Sequence, residues 1–132
     1  MTTAAWWAVG LVAVGTAVLV PLARSSLAPV QRVKDARARR RQAETRAEAL
    51  LLGWLSPGQR AQYHSRGWFE VTTLTGHRYG VWPRKVVRLD ARRSAYCIES
   101  MSWVPVADEM LAKKLLLETD ERRFLATAHR YR

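Results

Sequence analysis

Charge is missing from the start of the chain: no Lys, Arg, His, Asp or Glu occurs before Arg24. A stretch of that kind can neither form ion pairs nor titrate, which excludes it from acid–base chemistry. Cysteine is almost absent. Cys97 stands alone, so no internal disulfide can staple the fold, and a reducing compartment is compatible with that. Acids are scarce, 11 against 22 Lys and Arg, for a net charge of +11. Glycine, at seven residues, never gathers into a phosphate-cradling loop; Gly76 and Gly80 read as turn and strand positions. His64, His77 and His129 show no zinc spacing with Cys97, so neither a metal nor a cofactor is expected. Strand alternation sends Cys97 and His77 apart, which removes a thiol–imidazole dyad. Glu118, Asp120 and Glu121, interleaved with Arg122 and Arg123, read as a solvated helix face rather than an acid–base pair. Nothing in the chain points to an enzyme.

The uncharged start contains AAWWAVGLVAVGTAVLVPLA, residues 4–23. Twenty helical residues rise about 30 Å, the thickness of a bilayer's hydrocarbon layer. The segment is apolar all round, which suits lipid better than one side of a soluble core. Residues 1–23 are therefore expected to form a single transmembrane helix. Trp6 and Trp7 would sit in the headgroup region, and Leu11, Val14, Val18 and Leu22 would face lipid. A cleaved signal peptide and a buried soluble helix are the competing readings. The first lacks a positive n-region, although VPLA before Arg24 could serve as a cleavage site.

Immediately after this run the arginines begin. Residues 24–46 carry eight Lys or Arg against Asp35 and Glu44. Arg24, Arg32, Lys34, Arg37, Arg39, Arg40 and Arg41 form the topology and lipid-contact collar of this reading, with Arg46 beyond them. The positive-inside rule then places the N-terminus outside and the rest of the chain in the cytoplasm, as a single-pass inner-membrane protein with a signal-anchor. Anionic lipid is the expected partner of the collar, at about 1 kcal/mol per cation lying near the surface. A nucleic-acid arm is the other reading of RARRR.

Residues 24–53 form a basic juxtamembrane stalk. Ser25, Ser26 and Pro29 mark a break, and strong helix formers continue from Val30 to Leu55. No large apolar side chain occurs between Lys34 and Glu48, so this part is solvated or lies on a surface. Ala36, Ala43, Ala47, Leu50 and Trp54 keep a loose heptad rhythm that Arg40 interrupts. Homodimer pairing through span or stalk is left open. Leu50, Leu51, Leu52, Trp54 and Leu55 make the final turns apolar and fit to dock on the C-terminal module.

Residues 54–132 read as a small cytoplasmic α+β module. Ser56-Pro57 opens a short helix that stops near Gly67. The period then changes to two: WFEVTTL (68–74), HRYGVW (77–82), VVRLD (86–90) and AYCIE (95–99) predict a four-stranded antiparallel meander. Its buried face would be Phe69, Val71, Tyr79, Val81, Val87, Leu89, Tyr96 and Ile98, covered by one C-terminal helix. That helix shows Val106, Met110, Leu117, Phe124 and Ala128 on a stripe broadened by Leu111 and Leu125. The opposite sheet face carries Trp68, Arg78, Trp82 and Arg88. Tryptophans beside arginines form either a protein contact or a stacking platform for single-stranded nucleic acid.

The motifs WLSPGQ, GWFEV, GHRY, VVRLD, YC and DEMLAKKLLLETDERRFL together resemble a small module of short bacterial and bacteriophage open reading frames, over about residues 54–128. The resemblance implies a compact unit of bacterial or phage origin and no established activity. The expected function is thus a membrane-anchored, non-enzymatic protein that presents an interaction module to a protein partner. The alternatives are a membrane-tethered nucleic-acid-binding module and a small phage membrane effector.

Overall fold

The computed structural model describes residues 6–90, 93–98 and 103–131, with side chains from Pro29 onward. Two compact units result, Met1–Arg40 and Arg41–Arg132. A single helix, α1, runs Trp6–Trp54 without the interruption expected at Ser25, Ser26 and Pro29. A proline inside a helix forfeits one backbone hydrogen bond; the Ala-, Arg- and Gln-rich residues beyond it carry the helix on.

The expected transmembrane helix is corrected. Among the described residues no helix is long and apolar enough to cross a membrane. The length of α1 suffices, at 49 residues, but its described side chains are dominated by charge and alanine. Trp6, Trp7, Leu11, Val14, Val18 and Leu22, read as anchor residues, lie outside the described side chains, as does Arg24.

Sequence and structure agree closely where α2 (Pro57–Arg66) begins and ends. Ser56 caps it, its Oγ accepting from the Gln59 N–H while the Gln59 side chain accepts from the Ser56 N–H. Gly67 closes the helix at φ 73°, a left-handed conformation that favours glycine. Two glutamines of α2 then seal the edge of the first strand: Gln59 Nε2 donates to Glu70 O at 2.8 Å, and Gln62 Oε1 accepts from Glu70 N–H at 2.7 Å. An edge strand's unpaired backbone groups would otherwise invite another chain.

The sheet has five strands, not four: β1 (Phe69–Thr72), β2 (Arg78–Val81), β3 (Val86–Arg88), β4 (Ala95–Cys97) and β5 (His129–Tyr131), antiparallel throughout in that order. The fifth comes from the residues that follow the expected helical stripe, and it pairs Tyr96 with Arg130. The cover is likewise two helices. Helix α3 (Val106–Thr119) ends at Asp120, whose extended backbone (φ −151°) restarts the chain as α4 (Glu121–Thr127) and whose carboxylate caps it through the Arg123 N–H.

The register of β3 also differs from expectation. Val81 pairs with Val86 and Tyr79 with Arg88, so Val86 is buried and Val87 and Leu89 face the other way. The cause is the turn. Trp82 N–H donates to Lys85 O across Pro83-Arg84, which fixes the pairing one residue away from the alternation Val87/Leu89 suggested. A one-residue slip exchanges the faces of every side chain in a strand.

Phe69, Val71, Tyr79, Val81 and Val86 pack beneath Met110, Leu111, Leu117 and Phe124. Tyr79, Tyr96 and Phe124 meet edge to face with centroids 5.9–6.4 Å apart. The last turns of α1 and the residue after them complete this core: Ala47, Leu51 and Leu55 are buried, while Leu50 and Trp54 stay exposed.

Candidate functional site

The face of the sheet away from the helices is built around Gly80. It has no Cβ, and an added one would lie 2.7 Å from a ring carbon of Trp82 and 3.2 Å from one of Trp68. The absent side chain lets both indoles lie down over the strand. There they stack on each other, centroids 4.2 Å apart and planes 19° from parallel. The Arg66 guanidinium covers Trp68 at 4.0 Å, and Lys85 Nζ stands 5.6 Å from the Trp82 centroid. The result is a ladder of cation, indole, indole, cation, in which each cation is attracted by the ring quadrupole beside it.

Beside the ladder a cavity of about 350 Å³ is lined by Trp68, Trp82, Lys85, Val87, Leu89 and Arg93. Val87 and Leu89 reach it because of the β3 register. The acids nearby are already matched. Glu70 meets Arg78 at 2.5 Å and Arg66 at 3.7 Å. Asp90 accepts from Arg88 Nε at 2.9 Å and from the Arg78 N–H at 3.2 Å. The Arg88 hydrogen bond holds the Asp90 carboxyl below the usual carboxylate range. Lys85 and Arg93 are exposed and have no carboxylate partner among the described residues.

Three of the four residues expected on this face are here: Trp68, Arg78 and Trp82. Arg88 is not. Its pairing with Tyr79 places it on the core side of the sheet, at the margin, so its assignment to the binding face is corrected. Sequence reasoning missed Val87, Leu89, Lys85 and Arg93. The signal that could have found them is the Pro83-Arg84 turn, which sets the register.

A second cluster, also unanticipated, centres on Glu121. Its carboxylate, 9% exposed, accepts from Tyr79 OH at 2.6 Å, meets His77 Nδ1 at 2.7 Å, and accepts from Thr73 Oγ1 at 3.2 Å and from Thr75 Oγ1. Burial pushes its pKa up, but the hydrogen bonds from Thr75, Tyr79, His77 and Thr73 outweigh burial and hold it at about 2. The Tyr79 hydroxyl is pushed well up, first by burial and then by its bond to Glu121. Four donors around one buried carboxylate clasp the β1–β2 hairpin to the start of α4. The sequence does carry the signal: Thr73, Thr75, His77 and Tyr79 alternate along one side of the hairpin. Thr75 shares His77 Nδ1 with Glu121, at 3.0 Å, rather than standing at the far ring nitrogen where a nucleophile would need to be.

Cys97 donates to Arg84 O at 3.3 Å and does not meet His77. Among the described residues no three His, Cys, Asp or Glu side chains gather as a metal site. A larger cavity of about 480 Å³ lies against α3, walled by Ile98, Val104, Ala112 and Leu116. Its one cation, Lys113, is buried and already donates to Pro83 O at 3.2 Å; burial pushes its pKa down.

On α1 the cations Arg32, Lys34, Arg37, Arg39, Arg40, Arg41 and Arg46 are all exposed. At 3.6 residues per turn, Arg32 and Arg39 fall on one side, Lys34, Arg37 and Arg41 on the opposite one, and Arg40 between them. The cations are thus spread over more than one side of the helix. No family model, curated protein or solved structure matches the chain.

Proposed function

We propose that this is a non-enzymatic interaction protein, in which the basic stretch of α1 engages an anionic surface and the compact module presents its outer sheet face to a protein partner. The observation that carries this reading is the density of exposed cations along one helical stretch: seven Lys or Arg over residues 32–46, against Asp35 and Glu44. Exposed cations at that density repel one another and are stabilised by a polyanion. Anionic lipid headgroups are the surface this reading assigns. The resemblance to short bacterial and phage proteins fits such a role and adds no activity.

Sedimentation of the full chain with vesicles tests it. Binding should require anionic lipid and weaken as salt rises. Replacing Arg37, Arg39 and Arg41 with Gln should lower the partition coefficient by about tenfold or more, since each near-surface cation is worth about 1 kcal/mol. Equal binding to neutral and anionic vesicles would sink the lipid assignment.

Cations on opposite sides of the helix favour a second reading, a nucleic-acid arm, because a groove or a wrapped strand meets more than one side of a helix and a flat membrane does not. Titration with duplex DNA separates the two: phosphate contacts give a steep negative slope of log affinity on log salt. Tight duplex binding at physiological salt, with vesicle binding no stronger than that of the Gln variant, would favour the arm.

A further inference from the structure

We propose that the outer sheet face is a docking site for an acidic polypeptide segment carrying one apolar anchor side chain. The inference deepens the interaction reading above and rests on it for the module, not for the collar. The cavity of about 350 Å³ has room for a single large side chain, and Trp82, Val87 and Leu89 give it an apolar lining. Lys85 and Arg93 line the same cavity, both exposed and without a carboxylate partner among the described residues. The acid on this face, Glu70, is bound to Arg66 and Arg78, and Asp90 at the sheet margin is bound to Arg88. The site therefore lacks two negative charges and one apolar body. An acidic segment with an anchor residue supplies all three.

The same geometry argues against a nucleobase. A stacking platform must offer a free indole face. Here one face of Trp68 is covered by Arg66, its other face meets Trp82, and Lys85 stands beside Trp82. A base would first have to break that ladder, whereas an aliphatic or aromatic side chain can enter the cavity beside it.

The experiment uses the full chain and three labelled probes: a short peptide of Asp, Glu and Gly with one central Phe, the same peptide with Gly at the centre, and oligo-dT. Fluorescence anisotropy gives affinity, and nitrogen-15 indole resonances report on Trp68 and Trp82. The Phe peptide should bind about tenfold tighter than the Gly peptide, because one apolar side chain leaves water. It should also move the Trp68 and Trp82 resonances. Lys85→Glu with Arg93→Glu should weaken the Phe peptide by about tenfold or more. Both positions are exposed, so retained indole stacking in circular dichroism certifies the fold. The collar variant with Gln at 37, 39 and 41 should weaken both peptides alike and keep the Phe preference. Equal affinity for the two peptides overturns the proposal, as does indifference to the double charge reversal. Oligo-dT that displaces the Phe peptide and moves the same indoles overturns it in favour of nucleic acid. A chain that fails these tests yet sediments with anionic vesicles loses this site alone; the broader reading falls only if the vesicles fail too.

Discussion

Glu121 shows how a residue that reads as surface becomes an anchor point. In sequence it sits among Asp120, Arg122 and Arg123, the pattern of a solvated helix face. In the fold it accepts from two threonines and a tyrosine and meets His77. The sequence around Glu121 could not reveal this, because the donors come from a hairpin more than 40 positions away. With its pKa held at about 2 against an ordinary 4.5, the folded state binds a proton less readily than the unfolded chain. The stability from this carboxylate is thus complete above pH 4.5 and is lost as pH falls towards 2. Glu121→Gln should remove most of it, costing about 2–3 kcal/mol at neutral pH for a buried, charge-assisted network. Thermal melts between pH 7 and pH 2 check the assignment: the variant should melt lower at neutrality, and the gap should close at the acid end. Parallel curves would show that the carboxylate is not the group titrating.

Elements were legible in proportion to how local their causes are. Helix α2 could be read in full, since Ser56, Pro57, Gln59 and Gly67 encode both of its ends. Strands β1, β2 and β4 were legible through alternation, each with the correct buried face. The face of β3 was not, because VVRLD supports two alternations and only the turn at Pro83-Arg84 decides between them. Strand β5 left no trace: His129, Arg130 and Tyr131 carry no period, and their strand exists because β4 offers a free edge. The α3/α4 break was missed for a similar reason. One continuous apolar stripe spans it, and the marker is a single capping aspartate. Asp120→Ala should therefore cost about 1 kcal/mol, visible as a lower denaturation midpoint with an unchanged slope. On the outer face of β2, Gly80→Ala would drive a methyl group into the Trp82 ring, which packed indoles cannot absorb by moving a flexible tip. The exciton couplet of the stacked indoles in circular dichroism should weaken or vanish, while the helical signal persists. An intact couplet would mean that the indoles do not depend on the bare strand beneath them.

For the whole molecule, sequence and structure divide the chain differently. Composition places the boundary near residue 54, where the basic stretch gives way to the module. The compact unit begins instead at Arg41, inside α1. The reason is that a sheet face of five short strands is not covered by α3 and α4 alone. Ala47, Leu51 and Leu55 fill the remainder, and Leu51 is fully buried. Burying one leucine is worth about 1.5–3 kcal/mol. Losing both leucines and the alanine would therefore remove about 4–6 kcal/mol, a large part of the stability of a small domain at about 0.05–0.15 kcal/mol per residue. A chain beginning at Arg41 should accordingly melt cooperatively, close to the full-length protein. A chain beginning at Ser56 should lose cooperative melting at room temperature, and Leu51→Ala in the full chain should fall between them at about 3 kcal/mol. Differential scanning calorimetry of the three distinguishes the boundaries. Cooperative, near-native melting of the chain from Ser56 would show that the end of α1 decorates the core rather than completing it, and would return the boundary to the position composition suggests.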